Sequence, residues 1–150
     1  MKIILNSAIA LVLSHLLTCS ASASLGETGT QCDARYGKSE VIEADVPHFY
    51  RLYYSHWFSA DVTVELTDGF ATYVRFDGPL YDDDVKKLLD ENAQGHKWSI
   101  SKVTQFYDTW KRDDGAVAFH HKIPWHSGTK GFRPGLEFYS PNRSPSEPFE

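Results

Sequence analysis

The chain has 150 residues, and its 20 acidic side chains outnumber the 15 basic ones, which gives a formal net charge of −5. Nucleic acids and anionic membranes attract concentrated positive charge, so this balance excludes both as expected partners. The sequence holds two cysteines, Cys19 and Cys32, too few for a fold held together by several disulfides. A chain of this length is predicted to form one domain with its own apolar core.

The first 23 residues have the pattern of a signal peptide. Lys2 precedes a largely apolar stretch from residue 3 to 17, and Ala21-Ser22-Ala23 supplies the small residues that a signal peptidase reads. We therefore expect cleavage after Ala23 and an exported protein, periplasmic or secreted. Lipidation of Cys19 is the alternative, because the residues before it partly match a lipobox. The apolar stretch is shorter than the about 20 residues of a membrane span, so we expect no transmembrane span in the mature chain.

The first predicted elements are a short helix and a hairpin. Thr28 followed by Gln31 is a capping box, which predicts a helix over residues 29–36. Cys32 on this helix is expected to be a buried apolar residue rather than a reactive thiol. Further on, alternating residues predict strands, and Asp68-Gly69 predicts a two-residue turn between two of them.

The second half of the chain repeats this plan. Asp82-Asp83-Asp84 opens a predicted helix that stops by Gly95, with its acids at the positive end of the helix dipole. A second hairpin over residues 98–123 is expected to turn at Asp114-Gly115.

Residues 24–139 are therefore predicted to form a single α+β domain. We expect an antiparallel sheet with two helices packed on it, arranged as a tandem of two helix-plus-hairpin units. Residues 140–150 are rich in serine and proline, and we expect a disordered tail there.

Several short motifs resemble a family of small exported bacterial proteins of unknown function. They are residues 25–28, Gln31-Cys32 and Arg35-Tyr36-Gly37-Lys38, and Ser39 stands where that family usually has proline. More distantly, the chain is similar to β-lactamase-inhibitor-like domains and to the small lipoproteins of outer-membrane assembly. The resemblance implies a binding or scaffolding module without catalytic residues.

The histidines are the residues that catalysis or metal binding would use. A two-residue turn at Asp114-Gly115 sets His121 opposite Asp108, the pairing of a His-carboxylate base. His120 and His121 point to opposite faces of a strand, so they do not share one ion. The sequence has no nucleophile elbow, paired-ligand metal motif or phosphate-binding glycine loop. We therefore expect no enzyme, no cofactor and no metal, and a small hydrolase built on His121 is the third choice.

Aromatic residues are the stronger functional signal. Adjacent rings such as Tyr53 and Tyr54 do not face one core on a strand, so some rings lie in a second layer or on the surface. The expected binding face comprises Tyr53, Tyr54, Trp57 and Trp125. We expect a non-catalytic binding or structural module of the bacterial envelope or extracellular space, whose partner is an unknown protein or envelope component. The alternative is a carbohydrate-binding domain that stacks exposed rings on a glycan.

Overall fold

The computed structural model describes the chain in four ranges, which are residues 24–45, 48–55, 60–122 and 134–143. The predicted signal peptide, including Cys19 and the cleavage point at Ala23, lies outside these ranges. Most of the predicted tail, beyond Arg143, also lies outside them. No helix within the described ranges is long and apolar enough to span a bilayer.

The first helix, α1 (Gly29–Tyr36), has the bounds that the sequence predicts. The Thr28 N–H donates to the Gln31 side-chain oxygen at 2.8 Å, and the Gln31 N–H donates to the Thr28 hydroxyl at 3.4 Å. Gly37 then ends the helix with φ of +88°, a conformation that glycine adopts without steric cost. The capping-box prediction is confirmed, and Cys32 on this helix is buried.

The second helix, α2 (Asp82–Glu91), begins at the three aspartates. The Asp84 carboxylate accepts a hydrogen bond from the Tyr81 N–H at 3.1 Å, which satisfies one donor of the first turn. The helix ends ahead of Gly95 because Asn92 already takes a non-helical conformation. The role predicted for the three aspartates, stabilising the start of a helix, is confirmed.

All eight strands of the described residues belong to one antiparallel sheet. The strand order is β1-β2-β3-β4-β8-β7-β6-β5, so β1 and β5 lie at the two ends. The strands are β1 (Glu40–Asp45), β2 (His48–Ser55), β3 (Ala60–Thr67), β4 (Phe70–Asp77), β5 (Trp98–Val103), β6 (Tyr107–Arg112), β7 (Val117–His121) and β8 (Gly135–Tyr139).

The predicted α+β class is wrong, because this fold is mainly β. Helices of 8 and 10 residues accompany an eight-stranded open sheet in the described part of the chain. Each helix precedes four antiparallel strands, so the predicted helix-plus-hairpin unit is too small. The sequence of β1 is EVIEAD, which mixes charged and apolar residues without regular alternation, and an edge strand does not require that alternation.

A β-bulge changes the register of the first hairpin. Asp68-Gly69 forms the expected turn, with φ of 52° and 84° at its two residues. Thr72 is an extra residue on β4, so Val64 lies opposite Val74, whereas a plain two-residue turn would place it opposite Tyr73. The bulge therefore points Val74 toward the helices and leaves Tyr73 on the other face of the sheet.

The second hairpin turns over three residues. Gly115, with φ of +98°, donates its N–H to the Arg112 carbonyl at 2.9 Å and closes the loop. The longer loop moves the register by one residue from the prediction. His120, and not His121, consequently lies opposite Asp108.

The apolar core lies on one face of the sheet, where both helices pack. Cys32 of α1 and Leu88 of α2 belong to the same apolar cluster as the central strands. Phe138 of β8 is fully buried, with its ring centroid 6.3 Å from that of Phe76 and 5.8 Å from that of Trp98. Because β8 pairs with both β4 and β7, this ring joins the two halves of the sheet.

Candidate binding surface

The predicted aromatic face is divided between the core and the surface. Tyr53 is 2% exposed, its hydroxyl donates to Asp33 at 2.9 Å, and its ring centroid is 5.2 Å from that of Tyr36. Tyr54 points the other way and is 57% exposed. Trp57 and Trp125 lie outside the described residues. The structure therefore places one of the two described tyrosines on the surface and one in the core.

The predicted pairing of His121 with Asp108 is wrong. His120 lies opposite Asp108, while His121 is on the other face, with its Nε2 3.7 Å from the Glu137 carboxylate. Both histidines are buried, and burial lowers the pKa of His120. His126 lies outside the described residues. The hydrolase alternative thus lacks the His121–Asp108 base on which it rested.

Glu137 is the centre of a buried polar cluster on the face of the sheet away from the helices. Its carboxylate pairs with Arg75 and accepts a hydrogen bond from the Tyr139 hydroxyl at 2.6 Å. Burial alone would raise the pKa of Glu137, but hydrogen bonds from His121 and Tyr139 and the charge of Arg75 lower it. Arg75 also pairs with Asp77 at 2.7 Å. This compensation of charge is typical of a structural network. In the sequence, Glu137 within the otherwise apolar strand β8 was the only sign of it.

One group of described residues carries the side chains of a metal site. His96, Asp113 and Asp114 each offer a ligand atom, and these atoms lie within 4.8 Å of one another. Asp114 already accepts two hydrogen bonds from the Arg112 guanidinium, at 2.8 and 2.7 Å, which lower the pKa of Asp114 to about 2. Asp113 contacts the His96 Nδ1 at 2.6 Å. These contacts connect the residues before β5 to the β6–β7 turn, so a structural role accounts for the cluster without a metal ion.

The end of the sheet at β5 presents apolar side chains to solvent. Ile100 is 57% exposed, Val103 is 63% exposed and Phe106 in the following turn is 52% exposed. Ile100 lies opposite the half-buried Trp110 of β6, which continues the apolar surface toward the core. We call residues 98–106 the β5 edge. An end strand offers backbone N–H and C=O groups to which a further strand can pair.

Positive charge lies around the β5 edge. Four exposed lysines belong to it or to the neighbouring residues, namely Lys97, Lys102, Lys111 and Lys122. Lys122 pairs with Asp108 at 2.6 Å, and Lys102 donates to the Tyr107 hydroxyl at 2.8 Å. Because the whole chain has a net charge of −5, this local excess of lysine distinguishes the β5 edge from the average surface.

Comparisons with known proteins add little to this description. No protein-family profile matches the chain, and no curated protein matches it. Among solved structures, the chain is similar to the crystal structure of a cysteine-rich secretory protein from Staphylococcus aureus subsp. aureus Mu50, at 10% identity and a TM-score of 0.42. The similarity covers 77% of this chain and 44% of that one, so the chain spans less than half the length of that protein.

Proposed function

We propose that the protein is an exported, non-catalytic binding module that pairs the β5 edge with an extended segment of another protein. The observation that carries this proposal is an end strand with exposed Ile100 and Val103, followed by exposed Phe106. Strand addition uses main-chain hydrogen bonds for affinity and side-chain contacts for specificity. The large apolar side chains exposed on the β5 edge would make the side-chain contacts that give specificity. The signal-peptide pattern in residues 1–23 supports export.

The two faces of the β5 edge define the chemistry of the partner segment. Ile100 and Trp110 lie opposite each other on the side of the sheet that carries the helices. Lys102 and Lys111 lie on the other side, since they pair with Thr109 and Ser99 in the alternate positions. An added strand that alternates apolar and acidic residues would match both faces at once. We therefore infer that the partner segment has this alternating pattern.

A second copy of the chain does not suit the same edge. Two β5 strands paired with each other would bring Lys102 of each copy onto a shared face, where like charges repel. This repulsion favours a partner of different sequence.

The test is a selection of short peptides from a random library on the purified protein, followed by affinity measurements. We expect enriched peptides to alternate acidic and apolar residues, and their affinity to fall as salt rises. Ile100→Asp should weaken binding by about tenfold or more, because it places a charge where the partner segment presents an apolar side chain.

Phe70→Asp is the matched control, since Phe70 is 53% exposed at the β3–β4 turn, away from the β5 edge. Its affinity for the selected peptides should equal that of the unaltered protein. Enrichment of basic peptides, an absence of enrichment, or equal binding by the Ile100→Asp variant would each contradict the proposal.

A further inference from the structure

A polar cleft of about 420 Å³ lies on the face of the sheet away from the helices. It is far from the β5 edge, because its residues come from β2, β3, β4 and the segment after β8. Its lining includes Tyr50, Glu65, Thr72, Ser140, Asn142 and Arg143, all of which have polar side chains. We call this feature the Glu65 cleft.

The charges of the Glu65 cleft compensate each other. Glu65 is 3% exposed, and its carboxylate pairs with the guanidinium of Arg143. Arg143 also lies over two rings, 4.6 Å from the Tyr73 centroid and 5.7 Å from the Tyr139 centroid. Burial and the neighbouring Glu65 raise the pKa of Tyr50, so its hydroxyl stays neutral. The cleft therefore presents charged hydrogen-bonding groups without a net charge.

Hydroxyl groups complete the lining. The hydroxyls of Thr67 and Thr72 lie 2.9 Å apart, and the bulge at Thr72 directs the β4 backbone toward the segment after β8. The Ser140 N–H donates to the Thr72 carbonyl at 2.9 Å and holds that segment in place. The Ser140 Oγ is buried and has no hydrogen-bond partner among the described residues. The lining therefore adds hydroxyl-bearing side chains to the charged pair of Glu65 and Arg143.

We propose that the Glu65 cleft binds a neutral, polyhydroxylated ligand of the size of a sugar unit. The Glu65 carboxylate accepts hydrogen bonds from ligand hydroxyls, while Arg143 and Asn142 donate to ligand oxygens. An apolar ligand would remove water from these polar groups without offering hydrogen bonds in exchange, and a charged ligand would disturb a balanced pair of buried charges. The residues that line this site belong neither to the set predicted as the aromatic face nor to the β5 edge.

The test is ligand-detected NMR on the purified protein, with glucose, N-acetylglucosamine and myo-inositol as neutral probes. Glucuronate and glucosamine serve as charged controls of similar size. We expect saturable binding of at least one neutral probe and weaker binding of both charged controls. Glu65→Gln should weaken the binding of that probe roughly tenfold, because the charged acceptor of the ligand hydroxyls becomes a neutral amide oxygen. If none of the neutral probes binds, or if the charged ones bind as well, the proposal is overturned.

Two further variants separate a loss of the site from a loss of the fold. Asn142→Ala changes an exposed side chain of the cleft and should also weaken binding while leaving the melting temperature unchanged. Asp90→Asn is a control for the change in net charge, because it removes a carboxylate from the exposed Lys86–Asp90 ion pair on α2. It should leave binding unchanged. Equal affinity of the Asn142→Ala, Glu65→Gln and unaltered proteins would show adventitious binding elsewhere and overturn the proposal.

Discussion

Replacing Phe138 with alanine should destabilise the protein more than an equivalent change at the surface. Phe138 is fully buried between Phe76 and Trp98, on the strand that joins the two halves of the sheet. Removing a buried phenylalanine ring typically costs about 3–5 kcal/mol. Two edge-to-face ring contacts are lost at once, which places the expected cost in the upper part of that range, about 4–5 kcal/mol.

The free energy of unfolding is measured by urea denaturation followed by tryptophan fluorescence. Phe106→Ala is the matched control, because it removes the same atoms from a side chain that is 52% exposed. We expect the control to lie within about 0.5 kcal/mol of the unaltered protein. In thermal unfolding, Phe138→Ala should lower the melting temperature by roughly 10–20 °C. Equal costs for the two variants would refute the assignment of Phe138 to the core.

Three other predictions concern individual groups. The Cys32 thiol is buried, which raises its pKa to about 11, so peptide mapping should show slow alkylation in the native protein and fast alkylation in urea. Fast native alkylation would contradict this burial. The Arg112 guanidinium lowers the pKa of Asp114 from its ordinary 3.8 to about 2, so the pair stabilises the fold above about pH 4 and this contribution disappears as the pH falls toward 2. Between about pH 4 and pH 2, the free energy of unfolding of the Asp114→Asn variant, measured in urea, should therefore fall less than that of the unaltered protein. An equal fall in both proteins would refute the pairing. Gly135→Ala would press a methyl group against the Phe76 carbonyl oxygen, and we expect a loss of at least about 2 kcal/mol in urea unfolding. An unchanged unfolding midpoint would contradict the close approach of β8 to β4.

The local elements could be predicted where a few neighbouring residues determine them. Thr28 and Gln31 cap α1 through contacts three residues apart, so the sequence alone reveals the helix start. Asp68-Gly69 adopts the positive φ values that a tight hairpin requires. Asp82, Asp83 and Asp84 predict the start of α2, because acidic residues in the first turn interact favourably with the helix dipole.

The registers and the fold class could not be predicted in this way. The bulge at Thr72 and the three-residue loop before Ala116 each move a strand by one residue, and one residue exchanges the two faces of a sheet. The sequence of β1 has no regular alternation of apolar and polar residues, so it did not predict a strand that pairs with one neighbour only. The α+β class was wrong because the eight-stranded sheet outweighs two short helices in the described residues.

The candidate surfaces depend on contacts between distant parts of the chain. The exposed position of β5 follows from the strand order, in which β8 inserts beside β4 and leaves β5 at the end. The Glu65 cleft combines side chains from β2 and β3 with Arg143, which is 78 residues further along the chain than Glu65. Contacts between residues so distant in the chain cannot be predicted from a local sequence pattern. Aromatic density led to the prediction of a binding face, but it did not separate the buried Tyr53 from the exposed Tyr54.

Amide hydrogen exchange of the protein with and without a peptide selected for binding tests the strand-addition proposal most directly. Backbone pairing protects amides, whereas a contact made by side chains alone leaves them exchanging. We expect new protection confined to residues 98–106, with no change in β1 to β4. Protection in β1 to β4, or saturating binding that leaves the amides of residues 98–106 unprotected, would contradict the proposed role of the β5 edge.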